Sequence, residues 1–516
     1  MTRIVDRRVS EMSARPSRRA LTLALSIGVG ALALRLWVLF HADYMFDDAF
    51  ITWRMARNVA QGLGGVYNPG DRLQATSSPL HMLFCAGLWW LLGARAILAD
   101  RVLGCFVDAS TTLLIIQLTY EIGCQHAQTG SAAIGAACAG ALHAVSGHTA
   151  FVAPAGLETP YYALAVVAAC RYAGLGRFQA AAALGSIAAL LRPDGALVWA
   201  VAGASALQQR RLGTFLKAST VWLLPGLVWQ LAYYGSLVPQ TVVAKSLVER
   251  SAQREWGELL QAFFIGGRRQ LLCSALFALG WYCGGRSRAA RPLLLWTLAY
   301  AVAFSSFGAW WPWYWAPLAA AMAVWAGLGL TFLTDLVGRR ASSRGMAPVG
   351  GALVGVLLCV SSGTQLARHV SWGHKAAPFY RRQNAAIAAW LARHAQPDSS
   401  VLIERMGEVG FLLPLRIDDY PGLASSRITD ALRTLARPIA WGPSDTGALD
   451  VIVRRVSPHY LVLREEEYRL ATVADVLTRY EVVREIEAES EGKLLSNDYQ
   501  PMLVLELAGG PSVSFW

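Results

Sequence analysis

The chain has 516 residues, of which 55% are hydrophobic and only 16% charged, with 19 tryptophans among them. Soluble enzymes carry about 25% charged residues, so this composition excludes an ordinary soluble catalyst and points to a membrane protein. The formal charge of +12 does not point to a nucleic-acid binder, because the arginine clusters fall in short loops between apolar runs.

Charge also divides the chain. Residues 375–516 hold 16 Lys/Arg and 19 Asp/Glu, whereas the preceding residues hold 30 and 15. A basic apolar part followed by a balanced polar part reads as a membrane domain and a soluble domain. The eight cysteines form no C-x-x-C pair and no spacing with histidine typical of zinc.

In chain order, residues 1–19 form a basic N-terminus with Arg3, Arg7, Arg8, Arg15, Arg18 and Arg19, which the positive-inside rule places in the cytoplasm. The apolar run 20–41 reads as an uncleaved anchor. Arg35 lies near its outer end, where snorkelling to the interface is expected. Eleven further apolar stretches follow, near 79–93, 102–120, 130–152, 157–173, 176–191, 194–208, 213–234, 268–283, 291–309, 313–335 and 348–366. The basic loops at 171–177, 208–217, 284–292 and 338–345 read as cytoplasmic, so the tail faces outward. A cytoplasmic start and an external end require an odd number of spans. The short run 79–93 is the doubtful one, leaving 11 or 13 transmembrane helices.

After about residue 368 the pattern changes to short alternating runs. YRRQNAAIAAWLARHA reads as an amphipathic helix and LATVADVLTRY as another. VLIERMG, DVIVRRV, HYLVLRE, YEVVREI and MLVLEL read as strands. The expected fold class is therefore an α-helical membrane bundle at 20–367 with a C-terminal extracytoplasmic α/β domain at 368–516.

The polar loop 42–78 faces outward on this topology and contains MFDDAFITWRMARNVAQGLGG. Over 47–61 the spacing is helical: Asp47, Arg54, Asn58 and Gln61 share one face, and Ala49, Thr52, Trp53, Ala56 and Ala60 line the other. Such a helix is expected to lie on the membrane surface with its polar stripe turned to a cavity. Asp47 and Asp48 suit a helix N-cap, which accepts backbone N–H groups. A carboxylate at the water–membrane boundary equally suits a general base for an acceptor hydroxyl.

Other polar residues fall at outward ends of spans. Arg192 in LRPDG and Lys245 after LVPQTVVA are cations placed for an anionic group, and Arg54 shares the Asp47 face. Glu158 opens a span, with His148 upstream, and a carboxylate at that depth is a functional candidate by default. Trp313 and Tyr314 belong to WWPWYW, an interfacial aromatic belt that can also stack on a sugar. Asn58, His148, Glu158, Trp313 and Tyr314 are thus candidate substrate contacts. No recognisable metal motif joins these groups, and no cofactor is required by the reading.

DDAFITWRMARNVAQGLGGVYNPGDRLQATSSPL resembles the first outer loop of bacterial GT-C glycosyltransferases, most closely the mycobacterial terminal β-arabinofuranosyltransferase group. GLETPYYAL, LRPDG, LVPQTVVAK, WPWYWAPL, GEVGF (407–411) and IDDYPGL (417–423) look similar as well. The resemblance implies inverting transfer of a sugar, arabinofuranose by preference, from a polyprenyl-phosphate donor to a cell-envelope glycan or glycoprotein at the outer face of the plasma membrane. It implies a first-loop aspartate as base, Asp47 ahead of Asp48, with Arg54, Arg192 and Lys245 neutralising the donor phosphate. Two other classes are weighed against it. A transporter or lipid flippase would show a repeated half and charges within the spans. A scaffold with a partner-binding tail would use Asp47 and Asp48 only as caps.

Overall fold

The computed structural model describes residues 16–248, 268–285, 287–307, 311–340, 346–440, 442–487 and 500–508. The basic residues Arg3, Arg7, Arg8 and Arg15 and the segment 249–267 lie outside them. In chain order the helices are α1 (Arg18–Ala42), α2 (Asp47–Ala60), α3 (Pro79–Leu92), α4 (Ala96–Gly123), α5 (Thr129–Val145), α6 (Gly147–Ala150), α7 (Thr159–Gly174), α8 (Phe178–Leu191), α9 (Gly195–Gln208) and α10 (Leu212–Trp222). They continue as α11 (Leu224–Tyr234), α12 (Gln240–Lys245), α13 (Arg268–Gly284), α14 (Arg291–Phe307), α15 (Pro312–Arg340) and α16 (Met346–His394). The tail adds β1 (Ser400–Ile403), α17 (Met406–Leu412), β2 (Arg416–Asp419), α18 (Ser426–Arg433), α19 (Thr446–Arg455), β3 (Tyr460–Arg464), α20 (Glu465–Val473), β4 (Tyr480–Ile486) and β5 (Met502–Leu507).

Chain contacts divide the protein into two compact units. One comprises 1–44, 98–227 and 251–373, and the other 45–97, 228–250 and 374–516. The expected boundary ran between a membrane domain that included the first loop and a tail beginning at 368. The compact grouping instead joins the first loop to the tail.

The first unit is helical, and small residues let its helices approach closely. A Cβ on Gly135 would stand 2.3 Å from the carbonyl oxygen of Gly327, and one on Gly327 would stand 2.5 Å from that of Gly135. Helices α5 and α15 therefore meet backbone to backbone, the packing that replaces hydrophobic drive between helices in lipid. Arg35 of α1 is fully buried. It pairs with Asp108 of α4 and donates to the carbonyls of Ala144 at 2.9 Å and His143 at 3.3 Å. It does not snorkel: a carboxylate and carbonyls within the bundle satisfy the guanidinium where it stands. Arg101, near the start of α4, donates to Asp43, the residue after α1, at 2.8 Å. The two contacts lie about two turns apart on each helix, so α1 and α4 run antiparallel.

Among the described residues four helical segments are long and apolar enough to cross a membrane: Arg18–Ala42, Pro79–Gly123, Trp313–Arg340 and Pro348–His394. Helices α10 and α11 form a pair bent by 44° that passes the same test together, and five shorter apolar helices accompany them. Segment Pro79–Gly123 is interrupted by a 3-10 turn at Gly93–Arg95.

In the second unit a five-stranded sheet of order β2-β1-β3-β5-β4 carries the tail. β2, β1 and β3 are parallel, and β5 and β4 are antiparallel. The expected strand DVIVRRV is helical instead, within α19. Asp445 accepts the Ala448 N–H at 3.1 Å and starts the helix. Ala448, Leu449, Ile452 and Val453 are buried at i, i+1, i+4 and i+5 in the tail's core. That stripe outweighs the β-propensity of Val and Ile, which is weaker than tertiary context. Strand β2, which carries IDD, was read from sequence only as a resemblance motif.

Candidate active site

In the second unit, α2 begins at Asp47, with Phe46 at the N-cap and no side-chain cap bond. Asp47 and Asp48 are therefore first-turn residues, and the expected N-cap is absent. Their charge still suits the positive end of the helix dipole. Both are half-buried. The Asp47 carboxylate faces another helix start: Gly407 N–H donates to Oδ2 at 2.7 Å and Glu408 N–H to Oδ1 at 2.9 Å. Gly407 is required by this approach, since a Cβ there would sit 1.8 Å from the Asp47 carbonyl oxygen. The GEVGF motif of the tail thus closes on the first residue of the loop motif.

Part of the polar stripe of α2 is buried. Arg54 is 2% exposed and Asn58 4%. The Arg54 guanidinium donates to the carbonyls of Tyr67 at 2.8 Å, Gly410 at 2.6 Å and Leu415 at 2.8 Å, and covers the Tyr67 ring at 4.3 Å. Asn58 donates to the Val66 carbonyl at 2.8 Å. Both groups donate to backbone carbonyls of this unit. The opposite face is buried too: Ala49, Trp53 and Ala56 have no exposure.

The rest of the loop motif is held the same way. Tyr67 donates its hydroxyl to the Met406 carbonyl at 2.7 Å. Asn68 donates to the Ile417 carbonyl at 2.9 Å and accepts the Ile417 N–H at 3.1 Å, so its amide stands in for a neighbouring strand on the β2 edge. Asp419, at the end of β2, accepts the N–H groups of Gly422, Leu423 and Ala424 at 3.1, 2.5 and 2.7 Å. Burial pushes its carboxyl up to about 6, against those three donors. Gln240 of LVPQT donates to the Gly422 carbonyl at 3.0 Å. Lys245 ends α12 and is half-buried.

In the first unit a second arginine gathers three motifs. Arg192, 3% exposed, donates from Nε to Asp194 Oδ1 at 2.9 Å and from an NH to Glu158 Oε1 at 3.2 Å. Its guanidinium stands over the rings of Tyr162 at 5.1 Å and Tyr314 at 4.7 Å. Glu158 makes no cap bond to α7; it is an ion-pair partner. Asp194 is the second partner. Trp313 is buried and stacks on Trp311 at 5.7 Å. His148 packs against the rings of Trp315 and His369 and lies 3.2 Å from the Gln365 amide.

The residues that sequence reasoning missed are Gly407 and Glu408 as partners of Asp47, and Tyr67 and Asn68 as anchors. Glycines at i and i+3 in GEVGF were the available signal. Such spacing strips one helix face for close packing.

Residues 374–515 match a family described as a domain of unknown function (DUF8728). No curated protein matches the sequence at a significant level. Solved structures do match over most of the chain. ArnT from Cupriavidus metallidurans bound to undecaprenyl phosphate is 15% identical with a TM-score of 0.54, over 96% of this chain and 98% of that one. The Archaeoglobus fulgidus oligosaccharyltransferase in its apo form is 12% identical with a TM-score of 0.58, over 94% and 75%. The arabinofuranosyltransferase AftD from Mycobacteria is 16% identical with a TM-score of 0.50, over 96% of this chain and 42% of that one. The chain shares the fold of these solved structures.

Proposed function

We propose that the protein is an inverting glycosyltransferase of the outer membrane face. It moves a sugar, arabinofuranose in this reading, from a polyprenyl phosphate to a hydroxyl of a cell-envelope glycan or glycoprotein. The observation that carries the proposal is the Asp47 carboxylate, held by two backbone N–H groups at the start of the first-loop helix of a GT-C fold. The crystallised ArnT holds a polyprenyl phosphate and AftD is an arabinofuranosyltransferase, which supports the donor class. A scaffold would use Asp47 for the same two hydrogen bonds, and the transfer assay below separates it from an enzyme.

The acceptor oxygen attacks the anomeric carbon, the bond from that carbon to the phosphate oxygen breaks, and its electron pair leaves with the polyprenyl phosphate. Asp47 takes the hydroxyl proton. A carboxylate has about four lone-pair sites, and the two amides occupy one on each oxygen, so a site remains for the proton. Asp48 is the second candidate for this role. The phosphate is a good leaving group that needs cationic partners more than an acid, and Arg192 and Lys245 are assigned to it. Tyr314 and Trp313 are assigned to the sugar or prenyl chain. No metal is assigned.

The proposed topology has eleven spans. α3 has 14 residues, about 21 Å long against a hydrocarbon core of about 30 Å. Arg101 meets Asp43 beyond the outer end of α1, so α4 begins on the side where α3 also begins. α3 then does not cross, and the N-terminus and tail fall on opposite sides. A single cysteine at Arg95, in an otherwise cysteine-free chain, would be labelled by an impermeant maleimide from outside. Labelling only after permeabilisation would overturn this topology.

The catalytic test is purified full-length protein with a panel of polyprenyl-phosphate sugars, scored for product and compared with Asp47→Asn and Asp48→Asn. Asp47→Asn is expected to abolish transfer. Asn can accept only one of the two N–H groups, so its thermal stability is measured alongside. Wild-type transfer by Asp47→Asn would make the base assignment wrong.

A further inference from the structure

The tail has no assigned role in the reaction, yet its first helix touches the residue assigned as base. The contact is built, since Gly407 and Glu408 each give Asp47 an N–H and Gly407 leaves no room for a side chain. Gly410, one turn on, is equally close: a Cβ there would stand 1.9 Å from the Tyr67 hydroxyl. The side chain of Glu408 is itself fixed, accepting the Asn384 amide at 2.8 Å.

We propose that α17 of the C-terminal domain is a catalytic support, in which the Gly407 and Glu408 amides orient the Asp47 carboxylate and the Glu408 side chain, anchored on Asn384, is a positioning residue that holds the start of α17 in place. The inference rests on the reading of Asp47 as base. Four groups bear on Glu408: Asp47 from α2, Arg381 and Asn384 from α16, and Arg405 from the turn before α17. Arg405 is held over the Tyr380 ring at 3.7 Å. Burial raises the Glu408 carboxyl above its ordinary value, and the neighbouring Asp47 charge raises it further. The tail thereby sets the geometry at the site.

Two variants of the full-length protein test this, assayed with the donor of the panel that the wild type turns over. Glu408→Gln keeps an oxygen for Asn384 and removes the charge. The expected result is kcat and thermal stability close to wild type, because the Asn384 contact and both amides are kept. Gly407→Ala pushes α17 off Asp47 and is expected to lower kcat roughly tenfold or more with donor KM unchanged. Amide exchange at 407–408, protected in the wild type and weakened at one of the two amides in Asp47→Asn, reports the clamp directly. If Gly407→Ala keeps the wild-type kcat while Asp47→Asn is inactive, the support role falls and the base assignment stands. If Asp47→Asn is active, or the wild type turns over no donor of the panel, the underlying reading falls.

Discussion

Arg54 and Arg192 are both buried guanidinium groups, and they solve the cost of burial in opposite ways. Arg54 is met by three backbone carbonyls and an aromatic face. Arg192 is met by two carboxylates and two aromatic faces. Carbonyls are neutral and fixed to the chain, so Arg54 ties loop 64–68 to segment 410–415 as a staple does, and nothing about it can exchange. Carboxylates carry charge, so an incoming anion would compete with Glu158 and Asp194 for Arg192. The comparison teaches that burial alone does not distinguish two cations. The nature of their acceptors does.

The largest effect is expected where the staple is removed. Arg54→Met strands three buried carbonyls, each costing about 1–3 kcal/mol when unsatisfied, and full-length protein should lose folded tail by thermal unfolding. Survival at the wild-type midpoint would erase the distinction between the two arginines. Arg192→Met leaves two buried carboxylates without their partner, a loss of about 3–5 kcal/mol. Arg192→Lys keeps the charge and should raise donor KM about tenfold or more while the fold persists; an unchanged KM would return Arg192 to the purely structural class.

A middle-sized effect follows from Asp419. Its folded value near 6 exceeds the ordinary value of 3.8, so between about pH 4 and 6 the folded tail binds the proton more than the unfolded chain does. Stability therefore falls as pH rises through that window, by at most about 3 kcal/mol. Asp419→Asn should flatten the dependence of the unfolding midpoint between pH 4 and 6.5. Smallest is Asn68→Ala, which removes two hydrogen bonds to Ile417 and should cost about 1–2 kcal/mol with kcat little changed.

The membrane class, the soluble tail and the special character of the first loop were legible because each rests on composition or on local periodicity. Hydrophobic run length reports a span without reference to neighbours, and Arg distribution reports the side. The Asp47 and Arg54 spacing was also legible, since helical period is local. What the stripe faced was not. The same amphipathic pattern fits a helix on a membrane surface and a helix buried on both sides, and only the segments packed against it decide. Strand DVIVRRV was misread for a related reason: its alternation serves a strand alone, and its burial by the tail's core selects the helix.

By itself, then, the sequence determined that the chain is a polar-looped membrane protein with an aspartate pair just after its first apolar span, because length, charge and period are properties of contiguous residues. Only the tertiary structure decided that Asp47 is held by Gly407 and Glu408, that Arg54 is a staple, and that Glu158 and Asp194 share Arg192. Those partners lie up to 361 residues apart in the chain. Hydrogen-bond partners at that separation leave no trace in local pattern, and only folding brings their donors and acceptors within 3 Å.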